Sequence, residues 1–121
     1  MIHHVAVETP RAAVDACVAF YGLLGFEPVT PPPGLVDVAA WVERDGQQIH
    51  LLYVDGPDDA VVPPEGHVAV VCPDYEATVA RLRAAGFAFE PRTEHWGSPR
   101  CFVSDPAGHR VEVMQFPPAS T

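Results

Sequence analysis

Lysine is absent from the chain, and its seven basic side chains are all arginine. No lysine amine is available for Schiff-base chemistry or for anchoring pyridoxal phosphate. Those seven face 16 acidic residues, for a formal net charge of −9. That balance excludes nucleic acid as a partner, because phosphate binding needs clustered Lys and Arg. No apolar run approaches the ~18–20 residues of a membrane span, and no signal-peptide pattern opens the sequence. A cytoplasmic protein with no membrane partner is therefore expected. Cys17, Cys72 and Cys101 are odd in number and lack metal-type spacing, which argues against a disulfide framework. What is present is 121 residues, 48% of them apolar, enough for a single domain with its own core.

The chain repeats itself. His4-Val5-Ala6-Val7-Glu8-Thr9-Pro10 returns as His67-Val68-Ala69-Val70-Val71-Cys72-Pro73. Each segment leads into an alanine-rich stretch that ends in Leu24-Gly25-Phe26-Glu27-Pro28 or in Ala85-Gly86-Phe87-Ala88-Phe89-Glu90-Pro91. Each half closes with a turn and an apolar strand, Asp45-Gly46 before Ile49-His50 and Asp105-Pro106-Ala107-Gly108 before Val111-Glu112. Equivalent positions stay 61 to 63 residues apart throughout, as between His4 and His67 or His50 and Glu112. A register held this long marks a duplicated module.

Each half decodes as βαβββ. His4–Glu8 and His67–Cys72 are β-rich runs ended by Pro10 and Pro73, which open helices. Val14, Cys17, Val18 and Tyr21 form one apolar helical face, and Tyr75, Val79, Leu82 and Arg83 a weaker one. Gly22 or Gly25, and Gly86, supply the stop signals. Short strands follow over 26–30 and 87–91. Hairpins are expected over 36–54, around Asp45-Gly46, and over 100–116, around Asp105–Gly108. The fold class is thus α+β, two tandem βαβββ modules forming curved mixed sheets. Module 1–54, linker 55–66 and module 67–116 make one domain over 1–121.

Four residues capable of binding metal occupy repeat-equivalent places. His4 and His67 open the first strand of each module, while His50 and Glu112 lie midway along the last. Alternation puts His50 on one face with Gln48 and Leu52, and Glu112 with Arg110 and Met114. A lone strand histidine is usually structural, and Glu112 alone could be an ordinary outward residue. Their joint placement is what points to a shared site. Three imidazoles and a carboxylate suit one divalent transition metal (Zn, Ni, Co, Mn or Fe) and make a poor Ca or Mg site. His3 and His109 have no metal-capable repeat partner, fall on the opposite strand face, and read as surface residues.

Over 2–115 the chain resembles the vicinal oxygen chelate superfamily, which includes glyoxalase I, methylmalonyl-CoA epimerase, fosfomycin-resistance transferases, extradiol dioxygenases and bleomycin-resistance proteins. The carriers are His4–Val7, Phe20-Tyr21-Gly22-Leu23-Leu24-Gly25-Phe26, Ile49-His50-Leu51-Leu52, His67–Val70 and Asp105–Glu112. Ala40-Trp41-Val42 with Ile49–Leu52 looks most like the broad glyoxalase-I-like group. The resemblance implies metal ligands at His4, His50, His67 and Glu112, with Glu112 as the catalytic proton acceptor. It also implies a small-molecule substrate bound through neighbouring oxygens and a homodimer. The expected activity is that of a metal-dependent isomerase, lyase or transferase. His50 departs from the pattern: glyoxalase I usually has glutamate there and the epimerase glutamine. Ala6 stands where fosfomycin enzymes commonly carry threonine. Two alternatives remain: an Fe(II) extradiol-type dioxygenase using His4, His67 and Glu112, and a non-catalytic drug-binding protein of the bleomycin-resistance type. Arg100, Trp96 and Arg110 are candidate contacts for an anionic substrate, against an ordinary loop or surface role.

Overall fold

The computed structural model describes residues 1–120, in two compact units, Met1–Val62 and the residues from Pro63 onward. The boundary falls inside the stretch 55–66.

The first unit runs β1 (His4–Pro10), a 3₁₀ turn (Arg11–Ala13), α1 (Val14–Leu23), β2 (Glu27–Val29), β3 (Ala39–Arg44) and β4 (Gln47–Val54). The second runs β5 (His67–Val71), α2 (Tyr75–Ala84), β6 (Phe89–Pro91), β7 (Arg100–Ser104) and β8 (Arg110–Met114). Each unit makes a four-stranded mixed sheet, in the orders β1-β4-β3-β2 and β5-β8-β7-β6. The first and last strands of each module pair in parallel, and the others are antiparallel. This is the α+β, twice-βαβββ architecture expected from the repeat. No helix among the described residues is long and apolar enough to cross a membrane.

Local chemistry sets the register. Asp45 and Gly46 both adopt positive φ (51° and 78°), the conformation of a two-residue type I′ turn, so Arg44 pairs with Gln47 and Glu43 with Gln48. In the second module Asp105 Oδ1 accepts from the Ala107 and His109 N–H groups, and Gly108 takes φ 93°. This self-bonded turn sets up the β7/β8 pair.

Alternation along the strands then sorts the two faces. In the first unit Val42, Ile49 and Leu51 lie on one face with the buried side of α1, which is Val14, Cys17, Phe20 and Tyr21. Phe20 takes the fully buried place expected of Val18, which is half-buried. In the second, Val70, Val111, Val113, Cys101 and Val103 form the core with Thr78, Val79 and Leu82 of α2. Tyr75 is half-buried, and Arg83 lies outside that core, its guanidinium 4.9 Å from the Phe89 ring centroid. All three cysteines are buried, and none is in a disulfide. β1 continues through Pro10 rather than stopping before it. An edge strand accommodates this, because proline there forfeits no central ladder bond.

Candidate functional site

The face of each sheet turned away from its helix carries the predicted ligands. In the first unit that face is built in rows: Ala6, His50 and Trp41 lie in register, and His4, Gln48 and Glu43 form the next row. The second unit repeats it, with Ala69, Glu112 and Phe102 in register and His67 beside Arg110. Each central ligand candidate therefore has a small residue on one side and an aromatic on the other.

In the first unit His50 is buried and stacked between two rings. Trp41 lies parallel at 4.0 Å between centroids, and His4 at 3.9 Å on the stack. His50 Nε2 bonds Gln48 Oε1 at 2.8 Å, and Gln48 Nε2 donates to Glu43 Oε1 at 2.9 Å. Burial lowers the His50 pKa below the ordinary histidine value, and the neighbouring His4 and His3 push it the same way. The ring is thus biased towards the neutral form, the one able to bind metal.

His3 is exposed as expected, but it corrects the expectation that it lies on the face opposite His4. It precedes β1, so strand parity does not govern it. Its Nδ1 meets His4 Nδ1 at 3.0 Å, and its ring lies edge-on to His50 at 6.4 Å. His109 corrects a second one: it is buried, not a surface residue. It immediately precedes β8, where the Asp105 turn draws its N–H inward, and the face opposite Glu112 is the one that packs with α2.

In the second unit Glu112 is buried and held at both oxygens. His67 Nε2 lies 3.2 Å from Oε1, and Arg100 Nη1 donates to Oε2 at 3.2 Å. Arg100 also donates through Nε to the Thr93 carbonyl at 2.8 Å and lies 5.3 Å from the Trp96 ring centroid. Trp96 Nε1 donates to the Phe116 carbonyl. Arg100 and Trp96, candidates for substrate contact, are therefore engaged in holding Glu112 and the 93–99 loop. Arg110 stacks on Phe102 at 4.3 Å and pairs loosely with the exposed Glu65 at 3.7 Å. A depression of 260 Å³ on this unit is lined by Glu90, Phe102, Ser104 and Arg110, among others.

The donor chemistry fits a borderline divalent metal: each unit brings together two ligand-type side chains, His4 with His50 and His67 with Glu112. Ligand lone pairs lie in the imidazole plane, so the stacked His4 must turn to aim at an ion shared with His50. Among the described residues no group of three or more His, Cys, Asp or Glu stands ready to hold a metal. Sequence reasoning placed Gln48 on the His50 face without giving it a role, and it did not single out Glu43 or Phe102. The Gln48–Glu43 pair was legible in principle, because a two-residue Asp-Gly turn dictates that Glu43 opposes Gln48.

With this fold and these donors, the chain belongs to the Glyoxalase/Bleomycin resistance protein/Dioxygenase superfamily, whose family model matches residues 1–113. Among individual proteins, it is 27% identical to Glyoxylase I 4 of Arabidopsis thaliana, over 93% of this chain and 68% of that one. A crystal structure from Bacillus anthracis, ascribed to the glyoxalase family, superposes with a TM-score of 0.83 at 26% identity, covering 94% of this chain and 93% of that one. The lactoylglutathione lyase of Agrobacterium tumefaciens shares the fold with a TM-score of 0.69 at 23% identity, over 94% and 92% of the two chains.

Proposed function

We propose that this protein is a divalent-metal-dependent, glyoxalase-like enzyme, an isomerase, lyase or transferase, acting on a small substrate chelated through neighbouring oxygens. The observation that carries the reading is that each unit brings together, at repeat-equivalent positions on its helix-free face, a pair of side chains suited to one metal. In this proposal His4, His50, His67 and Glu112 are the ligands, and the two units work as one domain in a cytoplasmic homodimer.

A dication bound there supplies Lewis-acid polarisation of the two substrate oxygens. The remaining work falls to the protein. Glu112 is the only carboxylate of the four and accepts the proton lost from substrate carbon through Oε1, with Oε2 kept on Arg100. His50 would give its lone pair to the ion and so would not serve as the base. Trp41 and Phe102 each set an apolar ring beside the ligand candidate of their own unit, His50 and Glu112 respectively.

The test is metal content by mass spectrometry of protein purified without a histidine tag or chelator. About one equivalent of Zn, Ni, Co or Mn per chain, lost in Glu112→Ala, is the expected result. Predominant iron would move an extradiol-type oxygenase reading to the front. Absence of metal, with none taken up on reconstitution, would overturn the four-ligand site and leave a small-molecule binding protein.

A further inference from the structure

A chain of hydrogen bonds on the helix-free face of the first sheet bears on which His50 nitrogen carries the proton. Glu43 is a carboxylate, and its Oε1, 2.9 Å from Gln48 Nε2, can only accept. The Gln48 amide must therefore turn its NH₂ group towards Glu43 and its carbonyl towards His50. That carbonyl lies 2.8 Å from His50 Nε2 and is likewise acceptor-only, so Nε2 must donate. A neutral imidazole carries one proton, so the lone pair resides on Nδ1, which makes no hydrogen bond among the described residues. The sandwich of Trp41 and His4 holds the ring plane. The only other orientation in that plane, a half-turn of the ring, would put a carbon against the Gln48 oxygen and forfeit the bond. The backbone builds the relay without slack: Glu43 and Gln48 are direct cross-strand partners, and Gln48 and His50 are two residues apart on one face.

We propose that Glu43 and Gln48 are positioning residues that lock His50 in the Nε2–H tautomer, leaving Nδ1 as the one ring atom it can offer to a metal. The ligand half of this statement rests on the function proposed above, whereas the tautomer half stands without it. The arrangement follows the general design in which the second nitrogen of a ligating histidine is hydrogen-bonded to orient the first.

The experiment is long-range ¹H–¹⁵N correlation NMR of the imidazoles in the ¹⁵N-labelled full chain, first metal-free and then with Zn(II), at a pH where histidines are neutral. His50 is assigned by its loss in His50→Gln. The expected metal-free result is a protonated Nε2 and a bare Nδ1 in the wild type. A mixture of tautomers is expected in Gln48→Leu and in Glu43→Gln. The second variant is nearly isosteric and keeps a hydrogen bond to Gln48, but it lets the amide face either way, so a merely structural role would leave its spectrum unmoved. With Zn(II), the wild-type perturbation should fall on Nδ1, and Gln48→Leu should bind Zn(II) about ten- to a hundredfold more weakly. A protonated Nδ1 in the wild type, tautomers unchanged in both variants, or Zn(II) on Nε2 would overturn the proposal. If Zn(II) does not bind, the function proposed above fails, and the metal-free spectra still decide the relay.

Discussion

Hydroxyl groups separate cost from use in this protein. Thr9 Oγ1 is fully buried in β1 and, among the described residues, is the buried side-chain polar atom with no hydrogen-bond partner. Ser98 is equally buried but occupied, accepting from the Gln115 and Phe116 N–H groups at 3.1 Å each and donating to the Pro99 carbonyl. Thr9→Val keeps the shape and removes an orphan donor, so denaturant unfolding should show stability unchanged or higher by up to about 1 kcal/mol. Ser98→Ala should lose about 1 kcal/mol in the same assay, because Phe116 N–H loses its acceptor. The reverse order would mean that a group beyond these atoms satisfies Thr9. Nothing in the sequence distinguishes the two hydroxyls. The ligand candidates were legible because duplication aligns them, while Ser98 has no counterpart in the first module to draw the eye.

Asp74 precedes helix α2 at its N-cap, and its side chain is tied to the helix's first two turns. Oδ2 accepts from Arg81 Nη2 at 3.2 Å, and Oδ1 from Thr78 Oγ1 at 3.1 Å. The Arg81 hydrogen bond, followed by that from Thr78, holds the Asp74 carboxyl below its ordinary pKa. A carboxyl whose folded pKa lies below its unfolded one adds stability above the unfolded value. That stability disappears as pH falls through the folded value. Asp74→Ala should therefore melt lower than wild type at neutral pH, by a small margin since the pair is exposed. In melts taken from pH ~7 down to ~3 the gap should close below the usual carboxyl range. A gap independent of pH would assign the effect to helix-capping shape rather than charge. Helix and strand positions were readable from periodicity and from Asp45-Gly46 and Gly86. Strand ends were less so, because β1 runs on through Pro10 where edge position, a tertiary property, tolerates it.

For the molecule as a whole, the proposed metal is a ligand that binds the folded chain and not the unfolded one. Such a ligand stabilises by about 4 kcal/mol when its free concentration is a thousandfold above Kd. Stripping the protein with a chelator should therefore lower its Tm, and readdition of the metal should restore it. Glu112→Ala, if well folded, should melt at one temperature with or without chelator. A wild-type Tm indifferent to chelator would leave the four donors without a common ion.

By itself, the sequence determined that the protein is two copies of one βαβββ module, because hydrophobic alternation, glycine stops and Asp-Gly turns are local signals that survive duplication. It also determined which four side chains occupy matching places. Tertiary structure decided what surrounds them: Trp41 and His4 against His50, the Glu43–Gln48 relay, and the grip of Arg100 on Glu112. It likewise decided that His3 joins the imidazole cluster and that His109 is buried. Apart from Gln48–His50 along one strand and the adjacent His3 and His4, these contacts join residues on neighbouring strands or in the turns between them. The Asp45-Gly46 turn fixes the Glu43–Gln48 pairing locally; the others depend on register and on which face the helix covers, and a periodic pattern read along one strand carries neither.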